Sequence, residues 1–299
     1  MIKLKKLPTG IKNPKRGYKF LFHDISAFID KHIDLGKNIF GENWDVCIVL
    51  DACRYDLFRS TARNHTVWHD FDTVERAWSL ASTTQQWAPR TFNRTPEKIL
   101  KNTAYVTSNA NIECSSSVEL GAIDHVWQYA SKPNKKVDSS TVTNRAASYI
   151  QSDEFERVVI HYALPHAPFP HCIGKYDSQP SEEPGSTQTV WKGLRDGRFG
   201  QEEVWKDYQL ALERGLGEVK RVINHANGRI LVTSDHGNLL GEWVFYGHPR
   251  SMLLPSVRRV PWATAEGDGK ESLRDISRSD IKVKEETSRE EHLKMLGYR

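Results

Sequence analysis

The run I-L-V-T-S-D-H-G-N ends a short apolar stretch on Asp235, followed at once by His236 and Gly237. One aspartate alone would say little, because Asp often caps the helix after a strand. Asp and His side by side offer two ligands of different chemistry, and the glycine lets the backbone turn away beneath a bound ion. V-L-D-A-C-R-Y-D sets Asp51 directly after a second apolar run, and H-Y-A-L-P-H-A-P-F puts His161 within and His166 just beyond a third. Carboxylate oxygen with imidazole nitrogen suits zinc, manganese or iron, whereas magnesium and calcium prefer oxygen alone. W-S-L-A-S-T-T-Q-Q-W brings the hydroxyls of Ser79, Ser82, Thr83 and Thr84 to the start of a short helical stretch. Backbone N–H groups at a helix start attract an anion, so a hydroxyl there can face a phosphoryl or sulfuryl group. A metal bound to that oxygen would lower its pKa and make it nucleophilic. Read in isolation, the segment is more simply an N-cap, so these residues have to be judged together.

Such residues work only if strand ends hold them. D-V-C-I-V-L (45–50) is a β-branched apolar run suited to a strand buried on both faces, and it ends at Asp51. Similar runs fall at 104–108, 124–127, 157–163 and 229–234, with helical patterns between them, notably 141–152 and 201–227. That alternation predicts an α/β fold, a mainly parallel central sheet flanked by helices on both faces. In such sheets ligands sit outside the carboxyl ends of the strands, where Asp51, Asp235 and His236 fall. Upstream, Phe20, Leu21, Ile25, Phe28, Ile29 and Ile33 recur at helical spacing within 18–38, with Gly36 as the stop. Residues 170–200 are rich in Pro and Gly and break the rhythm, reading as a lid, a substrate loop or a disordered insert. Three parts are expected: a basic arm and amphipathic helix (1–40), a catalytic domain with a lid-like insert at 170–200 (41–263), and a charged tail (264–299).

The chain's 299 residues suffice for one large domain, and the mean hydropathy of −0.60 suits a soluble protein. No apolar run is long enough for a transmembrane helix, and no apolar core follows the basic N-terminus as a signal peptide requires. Cys47, Cys53, Cys114 and Cys172 are widely spaced, which points to a reducing, cytoplasmic setting. The net charge of +4 is mild, and without aromatic residues interleaved among the basic ones no nucleic-acid partner is expected. Lys3, Lys5, Lys6, Lys12, Lys15 and Arg16 would allow peripheral contact with an anionic membrane, although a solvated arm is the simpler expectation. Nothing in the sequence fixes the oligomeric state.

Taken in order, the segments resemble the alkaline phosphatase superfamily, and within it the sulfatase-like branch. S-D-H-G-N-L-L-G-E followed by Y-G-H-P (234–249) is similar to the sulfatase-type S-D-H-G-x-x-x-G-E…G-H signature. V-L-D-A-C-R-Y-D (49–56) resembles the first metal-ligand motif, and Y-A-L-P-H-A-P-F (162–169) the P-H-x-P segment that brings a histidine to the substrate. The final H-L-K-M-L-G-Y-R looks like the L-G-Y ending of many sulfatase-like chains. These motifs imply an alkaline phosphatase-like sandwich with Asp51, Asp235 and His236 as metal ligands. They give His248 and His166 one of two roles each, ligand of a second metal or contact to the substrate's anionic oxygens. Arg54 would either bind a non-bridging oxygen or form an ion pair within the fold, and Asp56 is a helix-start residue.

Two departures sharpen what the resemblance implies. Formylglycine sulfatases need C-x-P-S-R or S-x-P-S-R, and Ser79-Leu80-Ala81-Ser82 lacks both the proline and the arginine. An unmodified hydroxyl is therefore expected as nucleophile and metal contact: Thr84 at a helix N-cap first, then Ser82, Ser79 and Thr83. Two-metal members supply an Asp four residues before the histidine, where this chain has Tyr162 before His166. One divalent ion, zinc, manganese or similar, is thus expected rather than two. The implied activity is metal-dependent hydrolysis of phosphate or sulfate esters through a covalent Thr or Ser intermediate. The alternatives are transfer of a phospho-alcohol group to a glycan or lipid headgroup, and a metal-binding relative that has lost catalysis.

Overall fold

The computed structural model describes residues 14–33, 35–112, 118–129, 137–152, 154–176 and 187–271. The arm 1–13, Cys114, residues 177–186 of the expected insert, and the tail from 272 with its L-G-Y ending lie outside the described residues. The chain enters through α1 (Pro14–His32), then β1 (Val46–Asp51), α2 (Tyr55–Ala62), β2 (Phe71–Trp78) and α3 (Thr84–Phe92). Next come α4 (Glu97–Lys101), β3 (Thr103–Thr107), β4 (Ala122–His125), α5 (Ser139–Gln151), β5 (Arg157–Pro165) and α6 (Thr187–Arg195). The long α7 (Gln201–His225) leads into β6 (Asn227–Ser234), the small hairpin β7 (Leu239–Leu240) and β8 (Tyr246–Gly247), and finally β9 (Arg259–Asp268).

Seven strands form one sheet in the order β2-β9-β6-β1-β5-β3-β4. Strand β1 runs parallel to both β5 and β6, and β3 runs parallel to both β4 and β5, so the five-strand block is parallel. Within this sheet, β9 against β6 and β2 against β9 are antiparallel. The centre is β1, whose six residues are all buried. Its side chains alternate between two cores: Val46, Ile48 and Leu50 pack with Ala146, Leu212 and Val219 of α5 and α7, while Cys47 and Val49 pack with Trp87, Phe92 and Tyr105. Each such aliphatic side chain contributes about 1.5–3 kcal/mol on leaving water, which a strand covered on one face cannot gain at every position. Helix α7 supplies the matching stripe, burying Val204, Tyr208, Ala211, Leu212, Gly215, Leu216, Val219, Val222 and Ile223 at three- and four-residue spacing.

Four elements depart from the sequence expectations. Strand β2 is largely solvent-facing and holds Asp72, Glu75 and Arg76, because an edge strand needs no continuous apolar run. Strand β9 continues to Asp268, past the boundary expected at 263. Within 170–200 the chain forms α6, which buries Val190, Trp191 and Leu194 on one helical face, so this part of the stretch is ordered rather than a loop. Helix α1 ends at His32, and Gly36 (φ +115°) serves the next turn, where a Cβ would stand 2.5 Å from the Ser79 carbonyl oxygen.

Candidate active site

Four segments converge at the carboxyl end of the parallel block. Asp51 closes β1, where pairing with β5 shifts register after Leu50. Ala52 then takes a left-handed φ of 58°, a conformation costing a non-glycine residue about 1–2 kcal/mol. What that strain achieves is visible in the next bond: Ala52 N–H donates to Asp235 Oδ1 at 3.0 Å, and His236 N–H donates to the same oxygen at 2.8 Å. With Oδ1 held by two backbone donors, Oδ2 faces the site. Gly237 follows with no room for a side chain, since a Cβ there would lie 2.4 Å from Ser256 O. Close approach, rather than a special φ, is what this glycine provides.

Ligand atoms of Asp51, Asp235 and His236 all lie within 4.8 Å of one another, and all three residues are fully buried. At that separation two carboxylates repel by at least roughly 3 kcal/mol at an effective dielectric of 20. Hydrogen bonds to neutral donors offset only part of this, whereas a divalent cation between them reverses its sign. Imidazole geometry points the same way. His236 Nδ1 donates to Gly237 O at 2.9 Å, leaving the Nε2 lone pair toward Asp235 Oδ2 (3.5 Å) and Asp51 Oδ1 (3.9 Å). His161 Nε2 is a further buried nitrogen with no hydrogen-bond partner, 3.9 Å from Asp235 Oδ2. Two carboxylates and an imidazole fit one divalent ion of the zinc or manganese type.

The four hydroxyls of 79–84 separate cleanly. Thr84 Oγ1 donates to Asp235 Oδ2 at 2.5 Å and stands 3.5 Å from His236 Nε2, inside the cluster. Ser79 donates to the Asp235 carbonyl oxygen, and Ser82 donates to Pro249 O at 2.7 Å while accepting from Met252 N at 3.1 Å. Thr83 is the true N-cap of α3, with φ −147° and ψ 149° and its oxygen accepting from Gln86 N at 3.3 Å. The expectation that Thr84 caps the helix is therefore off by one residue. A capping side chain is spent on the helix's own N–H groups, and shifting that task to Thr83 leaves Thr84 to the cluster. Ser82→Ala is expected to lower stability by about 1–3 kcal/mol, because the buried Met252 N–H loses its acceptor. Thermal melts and ester turnover check this, with turnover kept.

His166 and His248 stand beside His236, with ring centroids 6.5 Å and 4.6 Å from it and 5.1 Å from each other. His248 Nδ1 lies 2.9 Å from Asn238 Oδ1, and His166 Nδ1 donates to Ala167 O. Burial lowers the pKa of His248 to about 3, and the neighbouring His236 adds to the effect. His248 is half-buried and Gln85 and Arg250 are exposed, which marks the direction in which the site opens. Arg250 Nη1 donates to Gln85 Oε1 at 2.9 Å on that rim.

Arg54 is placed differently from an anion-binding residue. Its guanidinium donates to both Asp56 oxygens at 2.8 and 2.6 Å and to Glu242 Oε1 at 2.6 Å, and it lies 5.2 Å from the Trp205 ring centroid. Of the two roles open to it in the sequence, this is the ion pair within the fold. Asp56 sits in the first turn of α2, as expected of a helix-start residue. Sequence reasoning missed Asn109, whose Nδ2 donates to Asp51 Oδ2 at 2.8 Å and reaches Thr84 Oγ1 at 3.3 Å. The signal was available in N-A-N (109–111) directly after the 104–108 run, a polar cluster at a strand's carboxyl end.

Burial also lowers the pKa of His161 from 6.5 to about 4, against the opposing charge of Asp235. The native ring stays neutral where the unfolded one takes a proton, so stability is lost as pH falls from about 6.5 towards 4. For this residue the slope is roughly 1.4 kcal/mol per pH unit. Denaturation midpoints of metal-free protein across that window, with His161→Gln losing its share of the slope, check the sign.

No protein-family model matches the chain, and no curated protein does. Among solved structures, the chain is similar to the soluble domain of lipooligosaccharide phosphoethanolamine transferase A from Neisseria meningitidis. The TM-score is 0.52 at 12% identity, covering 88% of this chain and 90% of that one. Against the integral membrane form of that transferase the TM-score is also 0.52 at 12% identity, covering 86% of this chain but 55% of that longer protein. A Bacteroides thetaiotaomicron protein classed as a sulfatase gives 0.50 at 10% identity, over 78% of this chain and 66% of that one. These likenesses give no support to the cytoplasmic setting expected from the cysteines. Among the described residues no helix is long and apolar enough to cross a membrane. These likenesses show that the chain shares its α/β fold with the transferase domain and with the sulfatase.

Proposed function

We propose that the chain cleaves a phosphate or sulfate ester through Thr84 as nucleophile, at a single divalent ion held by Asp51, Asp235 and His236. The observation that supports this most strongly is that Thr84 is the hydroxyl, among the four of 79–84, whose oxygen bonds the side-chain carboxylate of that cluster. When bound, the cation supplies positive charge that lowers the pKa of a neighbouring hydroxyl and stabilises the charge growing on the ester. Thr84 Oγ attacks phosphorus or sulfur in line, forming the Oγ–P or Oγ–S bond as the bond to the leaving alcohol breaks. Asp235 Oδ2 marks the place of the Thr84 hydroxyl, whose proton passes to water as the new bond forms, and Asn109 orients both Thr84 and Asp51. His166 and His248 line the side of the site where the ester's oxygens would lie, and the departing oxygen takes its proton from water. Water or an acceptor hydroxyl then attacks the covalent intermediate and releases Thr84. In the same reading, residues 41–268 form the catalytic unit, with the arm and α1 before it and the charged tail after it.

Hydrolysis and transfer share the first half of this sequence and differ in the acceptor. The transfer reading, in which a phospho-alcohol group passes to a glycan or lipid headgroup, is supported by the transferase domain whose fold covers most of this chain. An assay of aryl phosphates, phosphodiesters and aryl sulfates with manganese or zinc, with and without a sugar alcohol acceptor, separates the two by product. Absence of metal-dependent turnover on every substrate would leave the third reading, a relative that binds metal without catalysis.

A further inference from the structure

Helix α1 is mounted on the domain through Phe22, which packs on Phe245, and otherwise through polar groups. Ser26 Oγ donates to Ser251 O at 2.8 Å and accepts from Leu253 N at 2.8 Å. The buried Asp30 carboxylate takes Arg90 at 2.9 and 2.8 Å and Arg258 at 2.8 Å. A helix that only covered a soluble domain would turn its apolar stripe to that side. Here Tyr18, Leu21, Ile25 and Phe28 form the opposite stripe and are 46–56% exposed, and Phe20 on the flank is 63% exposed. The stripe continues past the helix. Trp243, 56% exposed, stacks on Tyr18 with centroids 6.1 Å apart and packs on Phe22 at 5.3 Å, and Val244 beside it is 45% exposed. Both hold left-handed backbone, with φ of 54° and 62°, which is costly for bulky and β-branched side chains.

Contiguous apolar surface of this kind marks a contact, and charge decides which contact. Lys3, Lys5, Lys6, Lys12, Lys15, Arg16 and Lys19 all precede the first acidic residue, Asp24. A second copy laid on the same stripe would bring its own set of cations against these. An anionic bilayer instead attracts each by about 1 kcal/mol while accepting aromatic and aliphatic side chains at its interface. We propose that α1 and the 242–245 turn form a docking surface for an anionic phospholipid bilayer, with α1 lying in the plane of the interface and its apolar stripe among the acyl chains. The same helix holds the 248–253 loop, through His23 Nε2 to Arg250 O at 3.1 Å and through Ser26, so the rim of the candidate site lies next to the docking surface. The surface stands on its own observations and does not depend on the chemistry proposed for Thr84.

Co-sedimentation of the full chain with phosphatidylcholine vesicles, pure or containing roughly a quarter phosphatidylglycerol, tests this. Binding is expected to the anionic vesicles, to weaken with salt, and to fall about tenfold in Leu21→Ser/Phe28→Ser and in Trp243→Ser. Ile123→Ser, an exposed apolar residue on the edge strand β4, is the control expected to leave binding unchanged. Lys15→Glu/Arg16→Glu keeps the apolar stripe and is expected to lose anionic binding, which preserves the test should the double serine variant not fold. No partition into anionic vesicles overturns the proposal. So does partition that the stripe and charge variants leave unchanged, or a concentration-dependent dimer broken by the stripe variants without lipid binding.

Discussion

Thr84→Ala is expected to lower kcat/KM for any ester the protein turns over by about 10³-fold or more, a loss of roughly 4 kcal/mol of transition-state stabilisation. The size follows from what the hydroxyl does: it is the attacking atom, and water entering in its place lacks both its fixed position and its hydrogen bond to Asp235. Thr84→Ser keeps the oxygen and is expected to retain most of the rate, losing only the methyl group that packs in a fully buried position. Intact-mass measurement after quenching with substrate adds a readout independent of rate. The wild type and Thr84→Ser should show an added phosphoryl or sulfuryl group at residue 84, and Thr84→Ala none. Ser82→Ala and Ser79→Ala should keep the adduct, because their hydroxyls serve Pro249 and Asp235 backbone oxygens. A full adduct in Thr84→Ala, or its loss in Ser82→Ala alone, would move the nucleophile elsewhere.

What could be read from the sequence divides along a physical line. Buried parallel strands announce themselves as continuous β-branched runs, so β1, β3, β5 and β6 were legible, and with them Asp51, Asp235 and His236 at their ends. Strands β2 and β9 were not, because β2 is a largely exposed edge strand carrying charged residues, and the apolar pattern of β9 is broken by Pro261 and by Arg259, Glu266 and Asp268. Side-chain commitments were harder to read: even the local cap was misplaced by one residue, on Thr84 instead of Thr83. The ion pair of Arg54 with Glu242 joins residues 188 positions apart, and the bond of Asn109 to Asp51 spans 58. No spacing rule reaches that far, which is why Arg54 stood open between two roles and Asn109 went unnoticed.

Asp235→Asn separates the metal from the fold. The substitution keeps the volume of the side chain, and its remaining oxygen can still accept from Ala52 N and His236 N, so the turn after β6 should stay in place. What disappears is one of two buried negative charges within 4.8 Å of a shared imidazole. Without metal, removing that repulsion should leave the variant as stable as the wild type or more so. With manganese or zinc added at about a hundred times its dissociation constant, the wild type is expected to gain roughly 2.7 kcal/mol, since the ion binds the folded chain and not the unfolded one. Asp235→Asn should lose most of that gain, because the neutral amide neither balances the cation nor repels Asp51. Thermal melts of both proteins with and without metal give all four values. Equal metal-induced shifts in the two would place the ion away from this cluster, and no shift in the wild type would remove the cation from the proposed chemistry.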